Sequence, residues 1–296
     1  MPVRILLAIA ATWLIWGSTY LAIAFAVAEL PPFIVAGVRN VVAGLLMYGW
    51  LRARGAPRPT AAHWRRAIII GLLLIGIGNG AVTWSEQAEP SGVVALVVSL
   101  VPLWLLVFGW LGQQGVRPAM LELAGVALGL AGVLLLVAPW GDRVGAISRV
   151  GLLVLLASTL AWSIGSLYSR HLPPLPRPLL GSGMEMLSGG AALLLVSLMT
   201  GEWRAIDLDG VTARGALSML YLIGFGSIIG FSAYKWLLMQ VRPSLAGTYA
   251  FVNPVVAILL GWTFAGEVLS SRLIVAMTMI VSAVAMITLR PYLSER

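Results

Sequence analysis

The sequence predicts an all-α polytopic membrane protein of ten transmembrane helices, built from two inverted five-helix repeats. Three observations carry this. The 296-residue chain is 60% hydrophobic and only 10% charged, with a mean hydropathy of +0.97, whereas a soluble domain carries about 25% charged residues. Ten mostly apolar runs of about 20 residues can be laid along it, each long enough to cross a hydrocarbon core of about 30 Å. Two constant offsets relate the first half to the second. The runs are too long, and too free of period-two alternation, for the strands of a barrel.

Taken in order, the expected spans are 4–28, 32–51, 65–85, 92–112, 121–139, 150–170, 179–200, 215–238, 244–266 and 272–290. The first runs into WLIWGSTYLAIAFAVAELPP, where Ala26-Val27-Ala28 resembles a signal-peptide cleavage site. The apolar run from Ile5 exceeds the 7–15 residues of a signal-peptide core, and Arg4 alone precedes it, so retention as the first spanning helix is expected. The connections are short, and no soluble domain is expected between the spans.

Charge placement orients these spans. With the N-terminus cytoplasmic, twelve arginines fall on the inner side: Arg4, Arg52, Arg54, Arg58, Arg65, Arg66, Arg117, Arg170, Arg177, Arg242, Arg290 and Arg296. Five fall outside: Arg143, Arg149, Arg204, Arg214 and Arg272. Acids run the other way, with Glu29, Glu86, Glu89, Asp142, Glu202, Asp207, Asp209 and Glu267 outside. The positive-inside rule therefore places both termini in the cytoplasm. The net charge of +8 reads as orientation and contact with membrane lipid, and no nucleic-acid partner is expected. The absence of Cys excludes disulfide and thiolate chemistry.

The repeat reads as follows. An offset of 146 places Trp16 on Trp162, Pro32 on Pro178, Gly37 on Gly183, Arg39 on Glu185 and Gly44 on Gly190. An offset of 152 then places Gly78 on Gly230, Trp84 on Trp236, Pro102 on Pro254 and Trp110 on Trp262. The six added residues fit in the polar loop GEWRAIDLDGVTARG. The units are expected at 1–145 and 146–296. Because five is odd, the second unit enters the membrane inverted, as in many secondary transporters, whose substrate sites lie near the midplane between the repeats.

Several motifs sharpen this. Trp-Gly-Ser-Thr-Tyr in the first span, Arg39 seven residues beyond Pro32, Pro102 in LVVSLVPLW, Pro254 in YAFVNPVVAILLGW and the following Gly266-Glu267 resemble the drug/metabolite transporter superfamily, in its ten-helix EamA branch. The resemblance covers essentially the whole chain. It implies an exporter of amino acids or similar small metabolites across the bacterial inner membrane, close to amino-acid exporters of the YddG type. Ser99 and Val101 depart from the bulkier residues of aromatic amino-acid exporters, which argues against a strictly aromatic substrate. The resemblance also implies a cavity lined by spans one, three, four, six, eight and nine, with two and seven rocking or gating.

Polar groups at membrane depth are functional candidates until explained. Arg39 and its repeat counterpart Glu185 read either as structural, in an ion pair or bonded to carbonyls, or as coupling and gating groups. In the second reading Glu185 takes a proton or a substrate amine, and Arg39 gates or meets a carboxylate. Lys235, near the inner end of its span, is expected to snorkel to the interface. The expected substrate-binding set is Trp16, Tyr20, Asn79, Ser99, Trp162, Ser166 and Asn253, with Pro102 and Pro254 as hinges. Trp16 and Trp162 are deep repeat partners whose indoles suit an apolar side chain or a cationic amine, or else simply pack. Trp50, Trp64, Trp140 and Trp203 read as interface anchors. The Gly125/Gly129/Gly132 face reads as a packing or dimer surface, leaving a monomer or homodimer open.

Rival classes find little support. A rhomboid-like dyad on Ser227 lacks a His within a span, and His63 and His171 both fall in connections. Metalloprotease ligands and a Walker A motif are absent, and no channel filter is visible. No catalytic residue, metal or cofactor is expected. A nucleotide-sugar or lipid carrier remains the alternative. Such phosphate-bearing substrates call for several intramembrane cations, and only Arg39 and Lys235 qualify.

Overall fold

The computed structural model describes residues 2–111, 120–137, 147–172, 177–241, 246–247 and 249–293. Arg117, Trp140, Asp142, Arg143, Arg242 and Arg296, used above for orientation or anchoring, lie outside the described residues, as does the expected unit boundary at 145/146. All regular structure among the described residues is helical. In chain order the helices are α1 (Val3–Val27), α2 (Pro32–Ala53), α3 (Ala61–Ser85), α4 (Ser91–Val98), α5 (Val101–Leu111), α6 (Met120–Val137), α7 (Arg149–His171), α8 (Pro178–Met199), α9 (Ala213–Gln240), α10 (Tyr249–Phe264) and α11 (Ser271–Leu293). Six of these (α1, α2, α3, α7, α8 and α9) are long and apolar enough to cross a membrane, and shorter apolar helices occur at 91–105, 123–132, 252–264 and 271–283.

Local chemistry sets the helix ends. Pro32 and Pro178 open α2 and α8 at the first turn, where a missing N–H costs nothing. Thr60 and His63 form a reciprocal capping box at the start of α3. The expected span 92–112 is broken at Ser99–Leu100 into α4 and α5. Pro102 lacks the donor for the Val98 carbonyl and disfavours helical geometry at Val101, which separates the two. The helix α10 runs on through Pro254.

The long helices α3 and α9 share an unexpected feature. Residues Leu72–Asn79 and Leu222–Phe231 are wound as wide π turns, with Gly80 N–H bonded back to Ile75. The two stretches are related by the 152-residue offset to within two residues. Such turns cluster at functional sites because they redirect side chains and carbonyls.

The packing combines an apolar outer surface with polar groups set into a largely apolar core. Leu7, Leu14, Leu134 and Leu153 are all more than 60% exposed, an apolar surface that suits lipid. Ser158, Thr159, Ser163 and Ser166 of α7 are buried. The helices α2 and α8 cross most closely, through Gly37, Gly44, Gly183 and Gly190, where an added Cβ would strike the opposing backbone or its neighbours. The helix α6 lies along α11, with Gly129 against Ala283 and Gly132 against Ile280, so this glycine face packs within the chain. The helix α1 packs on α9 and α10, and α7 packs on α3, α4 and α5.

Candidate functional site, a central cavity with a vestibule

At the centre lies a cavity of about 80 Å³ whose walls come from α1, α2, α3, α7, α9 and α10 and from the α4–α5 break. Of the expected substrate residues, Trp16, Tyr20, Asn79, Trp162 and Asn253 line it, and so does Arg39. Ser99 is buried at the break, its hydroxyl donating to Leu96 O (2.7 Å), while Val98 and Val101 beside it reach the wall. Ser166 stands one layer back, sharing a 2.8 Å hydrogen bond with the Tyr234 hydroxyl.

One side of the cavity is an aromatic cluster. Trp16 and Trp162 meet edge to face at 5.6 Å, Trp16 and Tyr249 at 5.2 Å, and Tyr234 contacts all three rings. Trp16 Nε1 donates to the Gly226 carbonyl (3.2 Å), and Trp162 Nε1 to the Tyr234 hydroxyl (3.3 Å). Asn253 presents its amide nitrogen to the carbonyls of Tyr249 (3.2 Å) and Trp13 (3.0 Å), tying α10 to α1. Tyr234 and Tyr249 were not anticipated. The signal for Tyr249 lay in its position four residues before Asn253, one helical turn away on the same face.

Another part of the wall is polar. Asn40 Nδ2 donates to Asn79 Oδ1 (3.3 Å), and Ser227 Oγ to Asn40 Oδ1 (3.4 Å), a chain linking α2 to both π stretches. Ser158 Oγ donates to the Gly78 carbonyl in the first of them (2.7 Å). Beside Asn40, Arg39 is 6% exposed, and its Nε and Nη1 have no hydrogen-bond partner.

A second, larger hollow of about 500 Å³ opens below, lined among others by His63, Arg66, Ser169, Arg170, Glu185 and Lys235. Glu185 does not meet Arg39. It pairs instead with Lys235, 3.0 Å away, and Lys235 also bonds Ser169. This corrects the snorkelling expected for Lys235: with a carboxylate and a hydroxyl at hand, the ammonium is satisfied inside the protein and keeps only 12% of its side-chain surface exposed.

At the opposite ends of the helices stand carboxylates that the sequence showed only as outer-loop acids. Glu202 accepts from Phe33 N (3.4 Å) and Ile34 N (3.1 Å) at the start of α2. Glu267 accepts from Ser91 N (2.7 Å) and Gly92 N (3.3 Å) at the start of α4. Glu89 accepts from Ser148 N (3.0 Å) at the head of α7. Glu29 takes the N–H (2.8 Å) and hydroxyl (2.6 Å) of Thr212 at the head of α9. In each case a carboxylate from one half of the chain satisfies free N–H groups, and the positive dipole end, of a helix in the other half. The hydrogen bonds from Thr212 hold the exposed Glu29 carboxyl below the usual carboxylate range. Partial burial instead raises Glu202, against the two N–H groups it accepts.

Sequence comparison agrees with the fold. The EamA-like transporter family matches residues 3–138 and again 149–289. The chain is 40% identical over 294 residues to the uncharacterized inner membrane transporter YedA of Escherichia coli K12, covering 97% of this chain and 91% of that one. It is 28% identical to protein PecM of Dickeya dadantii, covering 92% and 88%, and 25% identical to the uncharacterized transporter YvbV of Bacillus subtilis, covering 93% and 88%. One solved crystal structure superposes with a TM-score of 0.70 over 99% of both chains at 22% identity, a likeness of fold alone. The family, YedA and YvbV are named as transporters, which indicates a transporter and not an enzyme. With both halves matched and full-length relatives named as transporters, the chain belongs to the EamA-like transporter family.

Proposed function

We propose that this protein is a secondary transporter that exports amino acids or similar small metabolites across the bacterial inner membrane by alternating access. In this reading ten spans form two inverted repeats, 1–145 and 146–296, with both termini cytoplasmic. The pairing of helices supports the inversion: α2 with α8 and α6 with α11 are self-matching, and α1 on α9 mirrors α7 on α3. The doubled family match supports the repeat.

The observation that carries the reading is the central cavity, lined by an aromatic cluster and by a polar chain, with a wider vestibule toward one end of the helices and carboxylate-capped helix starts toward the other. That asymmetry is what one half-cycle of an alternating-access carrier presents: outer face shut, inner face reached through the vestibule. Opening outward requires the four carboxylates to leave their helix ends. Trp16, Tyr20, Asn79, Trp162 and Asn253 bind substrate, Ser99 and Ser166 support the wall, and Pro102 and Pro254 hinge their helices. Glu185, paired with Lys235 at the vestibule, is the coupling group, and Arg39 is the charged group of the cavity. The small cavity argues against nucleotide sugars and lipids, which need several cations and far more room.

Counterflow of a radiolabelled amino-acid mixture in proteoliposomes tests this. Saturable exchange abolished by Trp162→Ala supports the reading. Glu185→Gln then separates a coupling acid, whose loss removes the response to a pH gradient, from a structural one. No exchange by correctly inserted protein sinks the amino-acid assignment.

A further inference from the structure

The central cavity contains one charged side chain among the described residues that line it, and that side chain lacks partners. Arg39 is 94% buried, counting from its 6% exposure, and two guanidinium nitrogens are unbonded. A buried guanidinium with idle donors is costly unless an anion meets it. The nearby Glu86 does not meet that need: it is within electrostatic reach, yet it makes no hydrogen bond to the guanidinium, whose Nε and Nη1 stay unbonded. It offsets the charge of Arg39 from a distance and leaves the donor fork free.

We propose that Arg39 binds the carboxylate of the transported molecule, and that the cavity selects small organic monoanions by carboxylate and apolar body without recognising an ammonium group. This rests on the cavity being the transport site. The geometry has three parts. The planar fork of Arg39 suits two parallel hydrogen bonds to a carboxylate, and the Ser227–Asn40–Asn79 chain beside it adds polar contacts in the same wall. In the same cavity, Trp16, Trp162 and Tyr249 offer apolar faces to a short hydrocarbon. No acid lines the cavity among the described residues, so an α-ammonium finds no ionic partner there. The vestibule agrees in sign: Lys235 and Glu185 neutralise each other, and Arg66 and Arg170 remain to draw anions inward.

The test is equilibrium binding by calorimetry to the full chain in nanodiscs, with three probes of one shape: 4-methylpentanoate, leucine and leucinamide. The proposal expects 4-methylpentanoate to bind, leucine to bind no tighter, and leucinamide not to compete. Arg39→Gln weakens the carboxylates by roughly thirtyfold or more, and Arg39→Lys, which keeps the charge but loses the fork, falls between. The probe series on unmodified protein decides the matter even where a variant folds poorly. Binding of leucinamide on a par with the acid overturns the proposal, as does leucine binding more than about tenfold tighter than 4-methylpentanoate, or no carboxylate binding at all. Carboxylate binding at Arg39 without any counterflow supports the site and sinks the transporter reading. Counterflow unchanged in Arg39→Gln does the reverse.

Discussion

Trp16 and Trp162 stand edge to face, 5.6 Å between ring centroids and 81° between planes, and each leans on a glycine of the opposite half. A Cβ on Gly230 would sit 2.5 Å from Trp16 Nε1, and one on Gly78 would sit 3.0 Å from Trp162 Cε3. The two tryptophans are repeat partners at one offset and the two glycines at the other, so the contacts form a crossed pair. Both rings also pack against both hydrophobic clusters of the protein. They are therefore structural keystones as well as cavity walls.

That double role predicts the behaviour of truncation. Trp162→Ala is expected to cost about 3–5 kcal/mol, as removal of a large aromatic from a packed site does, and to abolish saturable exchange. Trp162→Phe keeps most of the packing but loses the Tyr234 hydrogen bond, and is expected to retain weakened exchange. Thermal unfolding in detergent beside counterflow separates the two effects: equal loss of both in Trp162→Phe would mean that the residue acts through stability alone.

Gly230→Ala is expected to destabilise by about 1–3 kcal/mol, because a methyl group would force the Trp16 indole away from its Gly226 acceptor. Gly224→Ala, on the same π stretch with open space around it, is expected to be tolerated. Comparing their unfolding midpoints checks whether fit to the ring, and not helix propensity, sets the cost.

In the proposed transport cycle the capped helix ends form the outer gate. Glu267→Ala removes the acceptor of Ser91 and Gly92, at a cost of about 0.5–2 kcal/mol to the closed arrangement. The natural absence of cysteine allows Thr19→Cys, in the cavity wall, to be probed with a membrane-impermeant thiol reagent applied from outside. Labelling is expected to rise when Glu267→Ala is added. Unchanged labelling would show that the caps do not hold the face shut.

Two of these carboxylates should answer oppositely to acid. Glu29 lies below its ordinary value of 4.5 in the closed form, so its support for closure is present above that value and is lost as pH falls through the lowered one. Glu202 lies above 4.5, so its ionisation opposes closure above its raised value, and acidification relieves that opposition. Carboxyl-stretch infrared titration, with Glu29→Gln and Glu202→Gln to assign the bands, is expected to show Glu202 protonating first. The reverse order would contradict the hydrogen bonding described at Glu29.

Much of the architecture follows from local composition. Long apolar runs dictate helices because no other spanning structure satisfies its own backbone, and Pro102 marks the break between α4 and α5 for a local reason. Trp16, Trp162 and Asn253 were legible as deep residues that a lipid-facing surface would not favour. The carboxylate caps were half legible: Gly201-Glu202 and Gly266-Glu267 each place a glutamate directly after a glycine in left-handed conformation (φ 77° and 68°), while Ala28-Glu29 and Ala88-Glu89 each precede a proline turn. Nothing in the sequence says which helix end each glutamate reaches.

What the sequence by itself determined is the helical membrane class, the family, and a short roster of deep polar and aromatic residues, since all of these depend on side-chain type and spacing along one chain. Only the tertiary structure decided who meets whom. It gave Glu185 to Lys235 and not to Arg39, left Arg39 with open donors, brought Tyr234 and Tyr249 to the tryptophans, and wound α3 and α9 into wide turns at the cavity. Those outcomes depend on crossing geometry between helices far apart in sequence, set by glycine contacts such as Gly44 against Gly183. A shift of one helical turn there would change what Arg39 and Glu185 meet while leaving the hydropathy pattern unchanged.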